Sequence, residues 1–232
     1  MSHTVSTVAT EPAPQRARWL GWLTTAMLAV FAWLCFGYAP EDTIQGQVQR
    51  LFYPHVSSAW VAGLAFLVVF VSSVAYLVTR DLVWDARAAA SAEVGLLFTT
   101  GTLALGMLWG KASWGAYWVW DPRLTAVLVL WLLYLAYMAL RSYVDDPHRR
   151  GRFSAVLGIV AFVDVPIIYF SVKWWRTQHP SYVIQPGMVN MPLPMLWTLL
   201  FGVATFTVLY IHLARQRMAL QRLRQHLAEV AR

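Results

Sequence analysis

The chain has 232 residues, of which 59% are hydrophobic and 12% charged, and its formal net charge is +7. Its charge content is about half that of a soluble globular domain, which argues against a soluble fold. In so apolar a chain the basic excess reads as membrane topology and attraction to anionic lipid, not as nucleic-acid binding.

Runs near 20 apolar residues predict membrane-spanning helices. Six occur, at about 18–38, 57–79, 92–111, 124–141, 153–172 and 194–213. Each covers roughly 30 Å at 1.5 Å per residue, enough for the hydrocarbon core. The predicted fold is an all-α, polytopic membrane protein, one six-helix domain over 1–232 with only short ends beyond the first and last spans. The first span is too long for a cleavable signal and lacks a small-residue cleavage site. The one cysteine, Cys35, lies inside it and reads as packing. A single cysteine excludes an intrachain disulfide, a Cys-rich zinc site and a Cys-x-x-Cys-His haem attachment. No Gly-x-x-x-x-Gly-Lys-Ser/Thr loop exists, which excludes P-loop ATP binding.

Between the first and second spans, the loop 39–56 carries Arg50 and then Tyr53-Pro54-His55. The next loop, with Arg80 and Arg87, lies on the other side. The loop 112–123 belongs to the most informative stretch, about 109–125. Four tryptophans and a tyrosine fall between Trp109 and Trp120, among them Trp114 and Trp118, followed by Asp121-Pro122-Arg123. A loop at the opposite side carries Arg149, Arg150 and Arg152. The fifth span contains Asp164 and Pro166. Placing a carboxyl in mid-membrane costs roughly 2.5–3.5 kcal/mol, so Asp164 needs a polar partner, and Pro166 should kink the helix. The loop 173–193 carries Trp174-Trp175-Arg176 and His179. A basic tail, Arg215 to Arg232, follows the sixth span and reads as a helix on the inner face.

With six spans, 13 of the 18 basic residues share the side of the termini and 5 share the other. The positive-inside rule then predicts cytoplasmic termini and an aromatic loop facing the opposite compartment, in a bacterium the periplasm. Of six histidines, only His55 and His179 reach that outer side; His3, His148, His212 and His226 do not. The two flank the tryptophan-rich loop, one loop before it and one after. A planar iron macrocycle over that loop could take one imidazole on each axial side.

An aromatic belt at the membrane interface accounts for any one of these tryptophans, and a lone interfacial histidine more often hydrogen-bonds than ligates. The belt does not account for the density and order of the segment, which point to a flat ligand bearing carboxylates. Asp121-Pro122 reads first as a helix cap with proline at the first helical position. Arg123 then opposes the helix dipole, which asks for a partner such as Asp121 or a propionate. Snorkelling to headgroups is the default for Arg50, Lys111, Lys173 and Arg176.

The run Trp-Gly-Lys…Trp-Gly-x-x-Trp-Val-Trp-Asp-x-Arg-Leu-Thr resembles the WWD signature of haem-handling proteins in system I cytochrome c maturation. With six spans, flanking histidines and Val165–Trp175 before His179, the chain from about Trp19 to Leu213 resembles the haem exporter protein C (CcmC) family. The resemblance implies non-covalent haem b on the periplasmic face of the inner membrane, with His55 and His179 as axial ligands. It assigns Trp114, Trp118, Trp120, Asp121 and Arg123 to the haem-binding, chaperone-docking loop, and Arg50 to a functionally important arginine. It implies delivery to a membrane-anchored, CcmE-like haem chaperone. The further partners implied are an ABC-type complex of CcmA-like ATPase and CcmB-like permease with a small CcmD-like subunit. Tyr117 stands where the signature often has tryptophan, and Asp164 where a neutral residue is commoner. The competing readings are a haem permease subunit and a haem b electron-transfer subunit. Enzymatic activity is not implied beyond possible help in attaching haem to the chaperone.

Overall fold

The computed structural model describes residues 18–179, 184–185, 188–189 and 191–230. Of the residues named above, His3, Arg232 and, in the loop 173–193, residues 180–183, 186–187 and 190 lie outside them, as does the side chain of His226. Helix α1 (Arg18–Trp33) continues through a π-helical turn, Leu34–Tyr38. A 3₁₀ turn, Gln47–Leu51, leads directly into α2 (Phe52–Thr79). Then follow α3 (Leu82–Trp114), α4 (Pro122–Tyr143), α5 (Pro147–Phe162), α6 (Asp164–Trp174) and α7 (Leu193–Val230). A two-residue hairpin, β1 (Ile184–Gln185) with β2 (Met188–Val189), precedes α7. Six helical segments are long and apolar enough to cross a membrane, with α5 and α6 forming one of them. The chain is therefore a multi-pass, all-α membrane protein.

Local chemistry sets the helix ends. Asp81, Asp121 and Asp146 cap α3, α4 and α5 by accepting from Val83, Arg123 and Arg149 N–H. Pro122 and Pro147 occupy the first helical positions, where no N–H is needed. Helix α3 stops at Gly115, whose φ of 77° suits a residue without Cβ, and its N–H bonds Lys111 O at 3.1 Å. Between α5 and α6 the helix breaks at Val163. Pro166 explains the place, because a proline ring clashes with the carbonyl four residues earlier, here that of Phe162, the last residue of α5.

Three spans exceed their predicted lengths at the N-terminal side. The second begins at Gln47, the third at Leu82 and the fifth at Pro147. In the third, Asp85, Arg87 and Glu93 interrupt the apolar run that marked a start near 92. Two of those charges are neutralised within the bundle. Arg141 Nη1 and Nη2 donate to Asp85 Oδ1 and Oδ2 at 2.6 and 2.9 Å, and Arg217 lies 3.4 Å from Glu93. The sixth span runs to Leu223, and α7 carries the basic tail on without a break.

Helix α2 is the hub and packs against α3, α5 and α7. Lipid offers no hydrophobic drive for helix association, so close packing must hold the helices together. A Cβ at Gly95 would lie 2.6 Å from the Phe66 ring, and one at Gly151 2.6 Å from that of Tyr76. The gap at Gly95 lets Phe66 stack on Tyr134 with ring centroids 3.7 Å apart. A second apolar cluster, including Phe31, Cys35, Phe52, Tyr53, Met195 and Leu199, joins α1, α2 and α7.

Because the spans alternate, the connections 39–46, 115–121 and 175–192 gather at one end of the bundle. Those at 80–81 and 144–146 lie at the other.

Candidate functional site

At the first of these ends, α2, α3, α4 and α6 and three connecting segments line a cavity of about 260 Å³. His55, Trp114, Trp118, Arg123 and His179 line it, and Trp109 and Gln45 complete one wall. The structure thus brings together five of the eight residues singled out from sequence. His55 sits not in a loop but in the first turn of α2. His179 comes from the segment after α6, on the far side of the tryptophan-rich loop in sequence.

His55 is held on three sides. Its Nδ1 lies 3.1 Å from Thr102 O, and its ring meets Trp109 edge to face, with centroids 5.8 Å apart. On the third side Gly106 makes room, since a Cβ there would lie 3.1 Å from His55 Cε1. A carbonyl can only accept, so Nδ1 carries the proton and Nε2 keeps its lone pair. A second-shell carbonyl fixing the tautomer of a metal-binding histidine is the usual arrangement. Trp109 is itself fixed by donating from Nε1 to Gln45 Oε1 at 2.9 Å.

Asp121 does not line the cavity; it organises the wall. Its Oδ1 accepts from Arg123 N at 2.9 Å, the cap of α4. Its Oδ2 accepts from Gln178 N at 2.7 Å, across 57 residues. Burial raises the carboxyl pKa, but hydrogen bonds from Thr177, Gln178, Arg123 and Leu124 outweigh it and hold the group below its ordinary value. Arg123 follows in the first turn of α4, at the cavity. Trp118 Nε1 is buried and has no partner among the described residues. A buried donor left over on a cavity wall suits a ligand with an acceptor.

Trp120, Arg50 and Lys111 sit elsewhere. Trp120 is 77% exposed, meets Trp118 edge to face and lines a separate shallow groove with Arg176. Arg50 bonds Gln47 Oε1 and Cys35 O, bracing the 3₁₀ turn against the end of α1 instead of facing the cavity. Lys111 Nζ donates to Gly115 O at 3.0 Å and lies over the Tyr117 ring, where its charge also suits the helix C-terminus. Trp174 and Trp175 are exposed, as in an interfacial belt. Asp164 is half-buried, and its Oδ2 has no partner among the described residues, so the expected polar partner is not seen there.

Sequence reasoning missed Gln45, Thr102, Gly106 and Gln178. Gly106 and Gly110, one turn apart on α3, were the available signal: a smooth strip on a helix beside a histidine. No group of three or more His, Cys, Asp or Glu side chains able to hold a metal ion occurs among the described residues. Two imidazoles, aromatic walls and one arginine form a donor set that suits a macrocycle supplying its own equatorial ligands. The residues present therefore fit haem.

A family model described as Heme exporter protein C matches residues 2–231. The Heme exporter protein C of Bradyrhizobium diazoefficiens is 40% identical over 213 residues, covering 90% of this chain and 81% of that protein. The Heme exporter protein C of Escherichia coli K12 is 37% identical over 211 residues, covering 85% and 81%. A Marchantia polymorpha protein named putative cytochrome c biosynthesis ccmC-like mitochondrial protein is 36% identical over 178 residues, covering 75% and 74%.

Proposed function

Because the chain belongs to the heme exporter protein C family, we propose that it binds haem at this cavity and passes it on during cytochrome c maturation. The observation that carries the reading is the convergence of His55 and His179 on one cavity walled by Trp114, Trp118 and Arg123. When bound, haem would supply an iron open to further ligation and two propionates. His55 and His179 are the residues that would hold the iron. Arg123 neutralises carboxylate charge, and the tryptophan rings provide flat apolar walls, each worth about 0.5–1.5 kcal/mol beyond area burial. No cysteine lines the cavity among the described residues, so no thioether bond forms here; non-covalent haem b is the ligand that family membership implies.

The cavity lies at one end of the bundle, which suits delivery on one side of a membrane. The basic excess assigns that side to the periplasm and the termini to the cytoplasm of a bacterial inner membrane. The exposed Trp120 edge, next to the cavity wall, is the docking place for a membrane-anchored haem chaperone, and an ABC-type ATPase and permease are the remaining partners. Paired histidines of a haem b electron-transfer subunit would be expected within helices, stacked through the membrane. Here one ligand lies in a first helical turn and the other in a loop.

Optical spectra of the purified protein test the reading. The expected result is a low-spin, two-imidazole spectrum that His55→Ala and His179→Ala each weaken or convert to high spin. Unchanged spectra in both variants would overturn it.

A further inference from the structure

We infer that Asp121 is a positioning residue for His179: one carboxylate fastens the segment carrying the histidine to the helix start carrying Arg123. The inference deepens the haem-binding reading and rests on it for the role of His179.

A helix cap needs one oxygen. Oδ1 of Asp121 fulfils that need at Arg123 N. Capping leaves Oδ2 unexplained, yet Oδ2 makes the shorter bond, 2.7 Å to Gln178 N. Thr177 adds a second tie, because its hydroxyl donates to the Asp121 carboxylate and accepts from His179 N at 3.0 Å. Three consecutive residues, ending with the histidine, are therefore tied directly or through one hydroxyl to a single side chain. Asp121 and Asp85 are the two carboxylates buried among the described residues. Asp85 is there because Arg141 neutralises it. Asp121 instead gathers N–H and O–H donors from two segments far apart in sequence. Such bonds to a charged acceptor are about twice as strong as neutral ones.

The chemistry separates the two roles. Asparagine caps helices about as well as aspartate. Its second heteroatom is an NH₂ donor, which would face the Gln178 N–H donor and repel it. Asp121→Asn therefore keeps the cap and breaks the tie. Thr177→Val removes the hydroxyl and leaves the cap untouched, and Thr177→Ser restores the hydroxyl.

The experiment combines hydrogen exchange of the haem-free full-length protein with optical spectra of the haem-loaded protein. In Asp121→Asn, exchange at Gln178 and His179 should rise about tenfold or more, with the first turn of α4 unchanged. The spectrum should move toward high spin as it does in His179→Ala, and added free imidazole should restore low spin in both. Thr177→Val should move the same two readouts by less, and Thr177→Ser should return them to normal. Unchanged exchange at 178–179 in both Asp121→Asn and Thr177→Val would overturn the inference. If exchange rises but His179→Ala itself leaves the spectrum unchanged, the tie stands and the axial assignment fails.

Discussion

The two ends of the bundle treat buried polar groups in opposite ways. At the arginine end, Asp85 and Arg141 have side chains 2% and 9% exposed and satisfy each other through two parallel bonds. Glu93 is similarly taken up by Arg217 and by Gln221, whose Nε2 donates at 2.6 Å. At the histidine end, backbone groups hold the side chains from behind. Thr102 O accepts from His55 Nδ1, and Gln178 N donates to Asp121 Oδ2. His55 and Trp118 line the cavity, and the Trp118 indole N–H has no partner among the described residues. One end uses its polar capacity to close the bundle. The other uses backbone to aim side chains and leaves the Trp118 indole N–H unpartnered among the described residues, as the proposed binding site would require.

The largest effect should come from breaking the closed end. Arg141→Ala leaves Asp85 buried without its partner, at a cost of about 3–5 kcal/mol. Thermal unfolding in detergent should show a large loss of stability, and the double variant Asp85→Leu/Arg141→Met should regain most of it. Haem spectra of whatever folds should stay normal. A spectral change in the double variant would mean that the two ends are not independent.

A smaller effect should come from crowding the open end. Gly106→Ala places a methyl group 3.1 Å from His55 Cε1. Overpacking of this kind costs about 1–3 kcal/mol. Here the imbalance should appear as weaker haem retention and a shifted spectrum, with unfolding little changed. Gly101→Ala, whose nearest neighbour is Ser58 Oγ at 3.8 Å, is the control and should be close to normal.

The smallest effect concerns acid. The Asp121 pKa is lowered by folding, so its stabilising contribution is complete above the unfolded value of about 3.9 and fades as pH falls through the folded value. Exchange at 178–179, corrected for its intrinsic pH dependence, should be flat from pH 7 to about 5 and loosen only below about 4. In Asp121→Asn that acid limb should be missing. A limb of equal size in both proteins would assign it to another group.

The sequence made the helices legible where apolar runs were clean, as at 18–38 and 124–141. It misplaced the start of α3 because hydropathy weighs residues one at a time, whereas Asp85 is neutralised by an arginine 56 positions later. Of the residues singled out for their chemistry, His55, His179, Trp114, Trp118 and Arg123 meet at the cavity. Their supports were not legible, because Thr102 acts through its carbonyl, Gly106 through a missing side chain and Gln178 through its N–H. Any residue type offers a backbone group, so no pattern of side chains can announce it. Arg50 was equally legible by its charge, yet it lies away from the cavity and bonds a carbonyl at the end of α1.

The glycine seats that receive α2 bear on how the molecule is made. Helices leave the ribosome in chain order, and α2 meets its neighbours in that order. Phe66 finds Gly95 on α3 as soon as the next span is inserted, and Tyr76 finds Gly151 when α5 arrives. Gly202 on α7 comes last; a Cβ there would lie 2.5 Å from Phe31 and 2.8 Å from Ser57 Oγ. Among the described residues the cavity takes its lining from Gln45 through His179, with none from α7. Its walls are thus all synthesised before the final span, and α7 acts as a late clasp on α1 and α2. A nascent chain stalled before α7 would carry all the described lining residues while lacking the brace that holds the first two helices together.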